Sequence, residues 1–164
     1  MTILVVGRSG QLGQSLLTAL PRQYPGAVFW DRQALDLVQQ ETIAKSLAGL
    51  KPQIIINASA YTAVDMAEQE TELAYAINRD AVNALAGYCA RNDAALIHVS
   101  TDYVFDGAAD APYSETAATN ERIESADITP LAPVKKPEIV EYPIDLKERS
   151  QQHEIDMITQ ALAD

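Results

Sequence analysis

Four short apolar runs, separated by segments with helical periodicity, constrain the fold of this chain most strongly. The runs lie at residues 3–6, 27–30, 54–56 and 95–99; each suits a strand, and the first suits a strand that is buried on both faces. Between them, apolar residues recur at spacings of three and four, as in amphipathic helices. This alternation predicts an α/β fold, a Rossmann-like doubly wound parallel sheet with helices on both faces.

Three helices are predicted between the strands. The first carries the leucines of 12–20 and is stopped by Pro21. Asp36 is predicted to cap the second, which ends at Lys51. The third runs from about residue 71 to 91, with a buried stripe on one face.

The segment Gly7-Arg8-Ser9-Gly10-Gln11-Leu12-Gly13 is a G-x-x-G-x-x-G run between the first strand and the first helix. In a dinucleotide site Gly7 allows the tight turn, Gly10 lets a pyrophosphate approach the backbone, and Gly13 lets helix and strand pack closely. The pyrophosphate would lie on the free N–H groups of the helix N-terminus. The alternative is a glycine-rich turn that only joins strand to helix.

The residues after the second strand bear on the choice of cofactor. Asp31 lies eighteen residues after Gly13, near the position expected for a carboxylate that binds the adenosine ribose. That carboxylate favours NAD, whereas Arg8 and Arg32 offer charges for the 2′-phosphate of NADP. We therefore expect either cofactor to be accepted, with NADP slightly preferred. Arg32 could also be an ordinary surface charge.

Composition narrows the possible partners. The chain has 164 residues and a formal net charge of -11, which argues against a nucleic-acid surface. Cys89 is its only cysteine, and we expect an inert core thiol. The N-terminal apolar run is too short for a signal peptide or a membrane span, so we expect a cytoplasmic protein with no membrane partner. His98, within the fourth run, is expected to be a core residue.

Three blocks of sequence resemble the dTDP-4-dehydrorhamnose reductases of the extended short-chain dehydrogenase/reductase superfamily. The blocks are 7–13; 56–65 with 67–68 and 76–78; and 98–107 with 112–115. The resemblance extends over residues 1–120, which it identifies as an NAD(P)-binding Rossmann-like domain. It implies that the chain reduces the 4-keto group of a dTDP-linked 6-deoxyhexose with NAD(P)H, in dTDP-L-rhamnose synthesis.

The resemblance also implies roles for individual residues. Those proposed to bind the cofactor, besides the glycines, are Gln11, Leu12, Asp31, Arg32, Asp36, Leu37, Ala60, Tyr61 and Thr62. Thr101 would polarise the substrate ketone, while Asp102 and Tyr103 would help to hold the sugar. Hydroxyls at the carboxyl end of a parallel strand suit such a site, although Ser100 and Thr101 could instead cap backbone groups. The position of a magnesium-binding Glu in some members is Ser15 here, so no metal site is expected.

One element of the family pattern is missing. The superfamily protonates the ketone with a Tyr whose pKa is lowered by a Lys four residues later. After Tyr113 the only tyrosine is Tyr142, followed by Pro143, and its nearest following lysine is Lys147.

From this gap we predict a truncated fold and an impaired reductase. Residues 121–164 should form a short irregular segment, with a strand near 138–142 and an amphipathic helix over 148–162, packed on the same domain. An internal deletion would explain this arrangement, and uncovered apolar surface would favour a homo-oligomer. A non-catalytic nucleotide-binding or regulatory module, and a gene product without function, are the alternatives.

Overall fold

The computed structural model of the chain describes residues 1–100 and 108–114. Strands and helices alternate along this part of the chain, as the sequence predicts. The elements are β1 (Ile3–Val6), α1 (Gln11–Ala19), a 3-10 turn (Leu20–Arg22), β2 (Val28–Trp30), α2 (Gln40–Leu50), β3 (Ile54–Asn57), α3 (Val64–Ala67), α4 (Thr71–Tyr75), a π-helical turn (Ala76–Asp80), α5 (Ala81–Asn92) and β4 (Ala95–His98).

The four strands form one parallel sheet in the order β2-β1-β3-β4. β1 pairs with β2 on one side and with β3 on the other, so that Val5 lies between Phe29 and Ile56. The chain therefore adds β2 on one side of β1 and then crosses to the other side of β1 to add β3 and β4. In open α/β sheets, ligands bind in the crevice outside the carboxyl ends of the strands at such a point.

Helices cover both faces of the sheet, as predicted. All four residues of β1 are buried, and they alternate between two apolar clusters. Leu4 and Val6 pack with α2 and α5, whereas Ile3 and Val5 pack with α1. A strand that is apolar along its whole length is needed because each face meets a helix layer.

The prediction that Asp36 caps the second helix is wrong. α2 begins at Gln40, and the Asp36 carboxylate instead accepts the Val38 N–H within a turn, at 3.1 Å. Leu35 and Leu37 are both buried in the core, which draws this segment into a turn before the helix can begin. The end of α2 is as predicted, since Lys51 adopts a left-handed conformation with φ of 52°.

The predicted third helix is one helical path with a π-helical turn in its middle. Of its predicted stripe, Ala81, Leu85 and Tyr88 are buried, and Ile77 is partly buried against the same core. The π turn at Ala76–Asp80 shifts the helical phase between α4 and α5. No helix within the described residues is long and apolar enough to cross a membrane.

The predicted burial of the fourth strand is only partly correct. Within residues 1–100 and 108–114, β4 pairs with β3 alone, and His98 at its end is exposed. The placement of His98 in the core is wrong, because an apolar run cannot show which strand lies at a sheet edge. Cys89 is buried as predicted, and burial raises the pKa of its thiol to about 11. The strand and helix predicted beyond residue 120 lie outside the described residues.

Candidate functional site

The loop after β1 is docked between the ends of the two neighbouring strands. The N–H groups of Gly7 and Arg8 both donate to the Trp30 carbonyl at the end of β2, at 3.0 and 3.1 Å. Gly7 has a φ of +94°, and a Cβ there would lie 2.7 Å from the Ser59 nitrogen beyond β3. Only glycine fits both the conformation and the contact.

The other two glycines of the run differ from each other. A Cβ on Gly13 would collide with the Gly7 carbonyl oxygen, so Gly13 is required for α1 to pack on the loop. A Cβ on Gly10 would lie 3.5 Å from the Gly7 carbonyl oxygen and 3.7 Å from that of Ala58, which are ordinary contacts. Packing within the protein therefore does not require glycine at position 10. The residue is exposed on the loop.

The N-terminus of α1 has free hydrogen-bond donors. Gly10 is its N-cap and makes no side-chain hydrogen bond, and the first turn contains no acidic residue. The first amides of a helix have no acceptor within the helix. Within the described residues, this terminus therefore combines unpaired N–H groups with the positive end of the helix dipole, which suits an anion.

A cleft of about 550 Å³ lies beside the loop, at the end of β2. Ser9, Asp31, Arg32, Gln33 and Asp36 line it. The Asp31 Oδ1 atom accepts the N–H groups of Gln33 and Ala34, at 3.0 and 3.1 Å, so the carboxylate is held in a turn. The predicted ribose-binding residue thus lies in a cleft next to the glycine loop.

Arg32 and Asp36 form an ion pair across this cleft. The Arg32 Nε atom lies 3.7 Å from Asp36 Oδ1, and the Arg32 side chain is 76% exposed. Asp36 is fixed by its hydrogen bond from the Val38 N–H. Leu37, which the resemblance assigns to the cofactor site, has its side chain in the apolar core.

The loop after β3, which contains Ala60, Tyr61 and Thr62, is held by the π turn. Asn78 accepts the Tyr61 N–H at 2.8 Å and donates to the Tyr61 carbonyl at 3.0 Å. The Tyr61 hydroxyl donates to Glu70 at 2.6 Å, and this hydrogen bond raises the pKa of Tyr61. Sequence reasoning assigned Asn78 no role, although it lies in one of the family-like blocks.

A second polar network underlies the ends of β3 and β4. Asn57 is buried, and its Oδ1 atom accepts hydrogen bonds from the Ser59 N–H and hydroxyl. Its Nδ2 atom lies 3.2 Å from His98 Nδ1 on the neighbouring strand. Although His98 lies at the exposed end of β4, its ring is partly buried beside Asn57; this desolvation lowers the pKa of His98, and the interaction with Asn57 opposes the shift. Asn57 therefore fixes the segment against which Gly7 packs.

The structure brings most of the predicted cofactor residues to one edge of the sheet. The glycine loop adjoins Asp31 and Arg32 through Trp30, and it adjoins the loop before Ala60 through Ser59. The predicted substrate residues Thr101, Asp102 and Tyr103 lie outside the described residues.

Known proteins resemble this chain over the same region. The model of the RmlD substrate binding domain family matches residues 1–122. The dTDP-4-dehydrorhamnose reductase of Burkholderia thailandensis is 43% identical over 122 residues, which cover 73% of this chain and 40% of that enzyme. The Escherichia coli enzyme is 41% identical over 123 residues, which cover 73% of this chain and 41% of that enzyme.

Solved structures show the same relationship. A dTDP-4-dehydrorhamnose reductase from Clostridium acetobutylicum matches with a TM-score of 0.69 and 37% identity, over 73% of this chain and 43% of that chain. The Bacillus anthracis enzyme in complex with NADP matches with a TM-score of 0.67 and 34% identity, over 73% and 42% of the two chains. The present chain spans about two fifths of the length of these relatives.

Proposed function

Because the chain belongs to the RmlD substrate binding domain family, we propose that it binds NADP or NAD and serves in the reduction of dTDP-4-dehydrorhamnose. The relatives at 43% and 41% identity carry the name of that reductase, and one solved relative was crystallised with NADP. The proposed substrate is accordingly a dTDP-linked 4-keto-6-deoxyhexose. The product would belong to dTDP-L-rhamnose synthesis.

The glycine at position 10 is the observation that carries the cofactor proposal. The fold uses Gly7 and Gly13 for its own packing, but it leaves space for a side chain at Gly10. A pyrophosphate on the backbone of the loop accounts for the remaining glycine, because a side chain would occupy its place. The uncapped N-terminus of α1 supplies the donors for the phosphate oxygens.

The cleft at the end of β2 fits the adenosine ribose of either cofactor. Asp31 uses Oδ1 for its own turn, so its Oδ2 atom is the one available to accept a ribose hydroxyl. Arg32 is exposed enough to reach a 2′-phosphate. Gln11, Leu12, Ala60 and Thr62 complete the proposed cofactor site.

Reduction of a ketone requires a hydride at carbon and a proton at oxygen. The reduced nicotinamide supplies the hydride. In the proposed site Thr101 polarises the ketone, while Asp102 and Tyr103 hold the sugar. No Tyr-x-x-x-Lys sequence occurs in the 164 residues to supply the proton. Tyr61 is unsuited to this task, because its hydrogen bond to Glu70 raises the pKa of the hydroxyl rather than lowering it.

We therefore expect slow turnover by this chain alone. General acid catalysis contributes about 10²–10⁴-fold to such reactions, so a rate lower by at least that factor than that of a complete family member is expected. A stopped assay of NADPH oxidation with dTDP-4-dehydrorhamnose measures it. A rate equal to that of a full-length relative, lost on Tyr142→Phe, would show that residues 121–164 supply a substitute donor.

A non-catalytic nucleotide-binding or regulatory module is the second candidate function, because the N-terminus of α1 and the cleft at the end of β2 account for binding of a nucleotide without assigning a proton donor. The two candidates are distinguished on one sample by a cofactor titration followed by the turnover assay. Binding with turnover supports the reductase, and binding without turnover supports the module.

We also propose that the chain self-associates. Within the described residues β4 has a partner strand on one side only, and unpaired strand edges favour association. Light scattering at micromolar concentration should give the mass of a dimer or larger species. A monomeric mass would refute this proposal.

A further inference from the structure

The cleft at the end of β2 contains one cation between two carboxylates. Arg32 is flanked by Asp31 and Asp36, and all three side chains line the same space. The two carboxylates have different attachments. Asp31 is tied to the Gln33 and Ala34 amides, whereas Asp36 is tied to the Val38 amide and also contacts the guanidinium.

Asp36 is the fixed member of its ion pair and Arg32 is the movable one. The backbone hydrogen bond holds the Asp36 carboxylate in place, and the Asp36 side chain is 31% exposed against 76% for Arg32. In the free protein the guanidinium therefore rests against Asp36. A 2′-phosphate, with three acceptor oxygens and a double negative charge near neutral pH, must draw Arg32 away from this carboxylate.

We propose that Asp36 is a specificity-determining residue that restrains binding of NADPH relative to NADH, by competing with the 2′-phosphate for Arg32. The inference rests on the proposed function, since it requires the cleft to hold the adenosine ribose. NADH has hydroxyls where NADPH has the phosphate, and it can use Asp31 without displacing Arg32. The ion pair thus reduces the preference for NADPH that a free Arg32 would give, and both cofactors are accepted.

Asp36→Asn is the variant that isolates the charge. The Asn amide oxygen can still accept the Val38 N–H, so the turn is retained while the competing anion is lost. Asp36→Ser is a second uncharged variant whose hydroxyl can make the same cap. The melting temperature of each variant without cofactor checks that the fold is intact.

The fluorescence of Trp30 can be used to measure cofactor binding. It is the only tryptophan of the chain, and it directly precedes Asp31 at the end of β2. Energy transfer from Trp30 to the reduced nicotinamide gives the Kd of NADH and NADPH on the same sample. The informative quantity is the ratio of the two Kd values, because a general loosening of the cleft would change both.

The expected result is a ratio of the Kd for NADPH to the Kd for NADH that is lowered about two- to fivefold in Asp36→Asn, the equivalent of one surface ion pair. Arg32→Gln should weaken NADPH selectively. Adding Asp36→Asn to Arg32→Gln should then give no further gain in NADPH affinity, because the competition acts through Arg32. A melting temperature unchanged without cofactor accompanies this result.

Two results would overturn the proposal while the proposed function stands. One is an unchanged ratio of Kd values in both Asp36 variants when the wild type binds both cofactors. The other is an equal gain for NADPH in the Arg32→Gln background, which would mean direct repulsion by Asp36. If the wild-type chain binds neither NADH nor NADPH, the proposed function fails, and this inference fails with it.

Discussion

The two halves of the carboxyl edge of the sheet use their polar groups differently. At the β1–β2 end, the first amides of α1 have no acceptor within the described residues, and the Arg32 side chain is 76% exposed. At the β3–β4 end, Asn57 and Asn78 are engaged by neighbouring loops. The polar groups of the first half can contact a ligand directly, whereas Asn57 and Asn78 of the second half hold in place the loop that carries Ala60 and Thr62.

The same contrast separates the glycines of the first loop. Gly7 and Gly13 are fixed by contacts inside the protein, whereas Gly10 is not. Substitutions should therefore fall into two classes. Those at positions that the fold uses will lower the free energy of unfolding, and those at positions left for the ligand will weaken binding with little effect on the free protein.

The largest effect on stability is expected at Gly13. Gly13→Ala places a methyl group against the Gly7 carbonyl, a backbone atom that cannot move without disturbing the loop. We expect a loss of about 3 kcal/mol or more in the free energy of unfolding, measured with urea. Gly49→Ala is the control, because nothing lies near its Cβ within α2, and it should stabilise by about 0.5–1 kcal/mol. Equal effects of the two changes would contradict this distinction.

A smaller loss is expected at Asn57. Asn57→Ala leaves the partners of a buried amide unsatisfied, at a cost of about 1–3 kcal/mol. Asn83, exposed on α5, offers a matched change, and Asn83→Ala should stay within about 0.5 kcal/mol of wild type. Urea denaturation of wild type, Asn57→Ala and Asn83→Ala measures these differences in the free energy of unfolding. A harmless Asn57→Ala would show that the loop is held by other contacts.

The smallest effect concerns pH. The folded pKa of His98 is lowered below its ordinary 6.5, so between these two values the unfolded chain binds more protons. The contribution of His98 to stability is thus complete above about pH 6.5 and is lost as the pH falls towards the folded pKa. His98→Asn keeps an acceptor for Asn57 and does not titrate. Its free energy of unfolding should fall less than that of wild type on going from pH 7 to 5, and identical pH profiles would contradict the assignment.

Sequence reasoning was most accurate where local pattern and tertiary environment agree. The four strands were predicted to within one residue at each end, because each apolar run is bounded by a turn signal. The separate uses of Gly7 and Gly13 also follow from the motif, since the strand and the helix fix both ends of the loop.

The errors arise where distant packing decides the outcome. Asp36 has the local character of a helix cap, but burial of Leu35 and Leu37 delays the helix to Gln40. The role of Asn78 depends on a π turn, which has no signature in the apolar periodicity. The exposure of His98 depends on the order of strands, and sequence order does not give it.

Binding of NADPH to wild type, Gly10→Val and Gly26→Val tests the central claim most directly. Gly26 has no atoms near its Cβ and lies in the turn before β2, so it serves as the matched control. Wild type and Gly26→Val should both be stabilised by cofactor, by about 2.7 kcal/mol at a concentration of one hundred times Kd. Gly10→Val should melt close to the wild-type temperature without cofactor and show no rise with it. No stabilisation of wild type by millimolar NADPH or NADH, or an undiminished rise in Gly10→Val, would contradict the account and leave the loop as a structural turn.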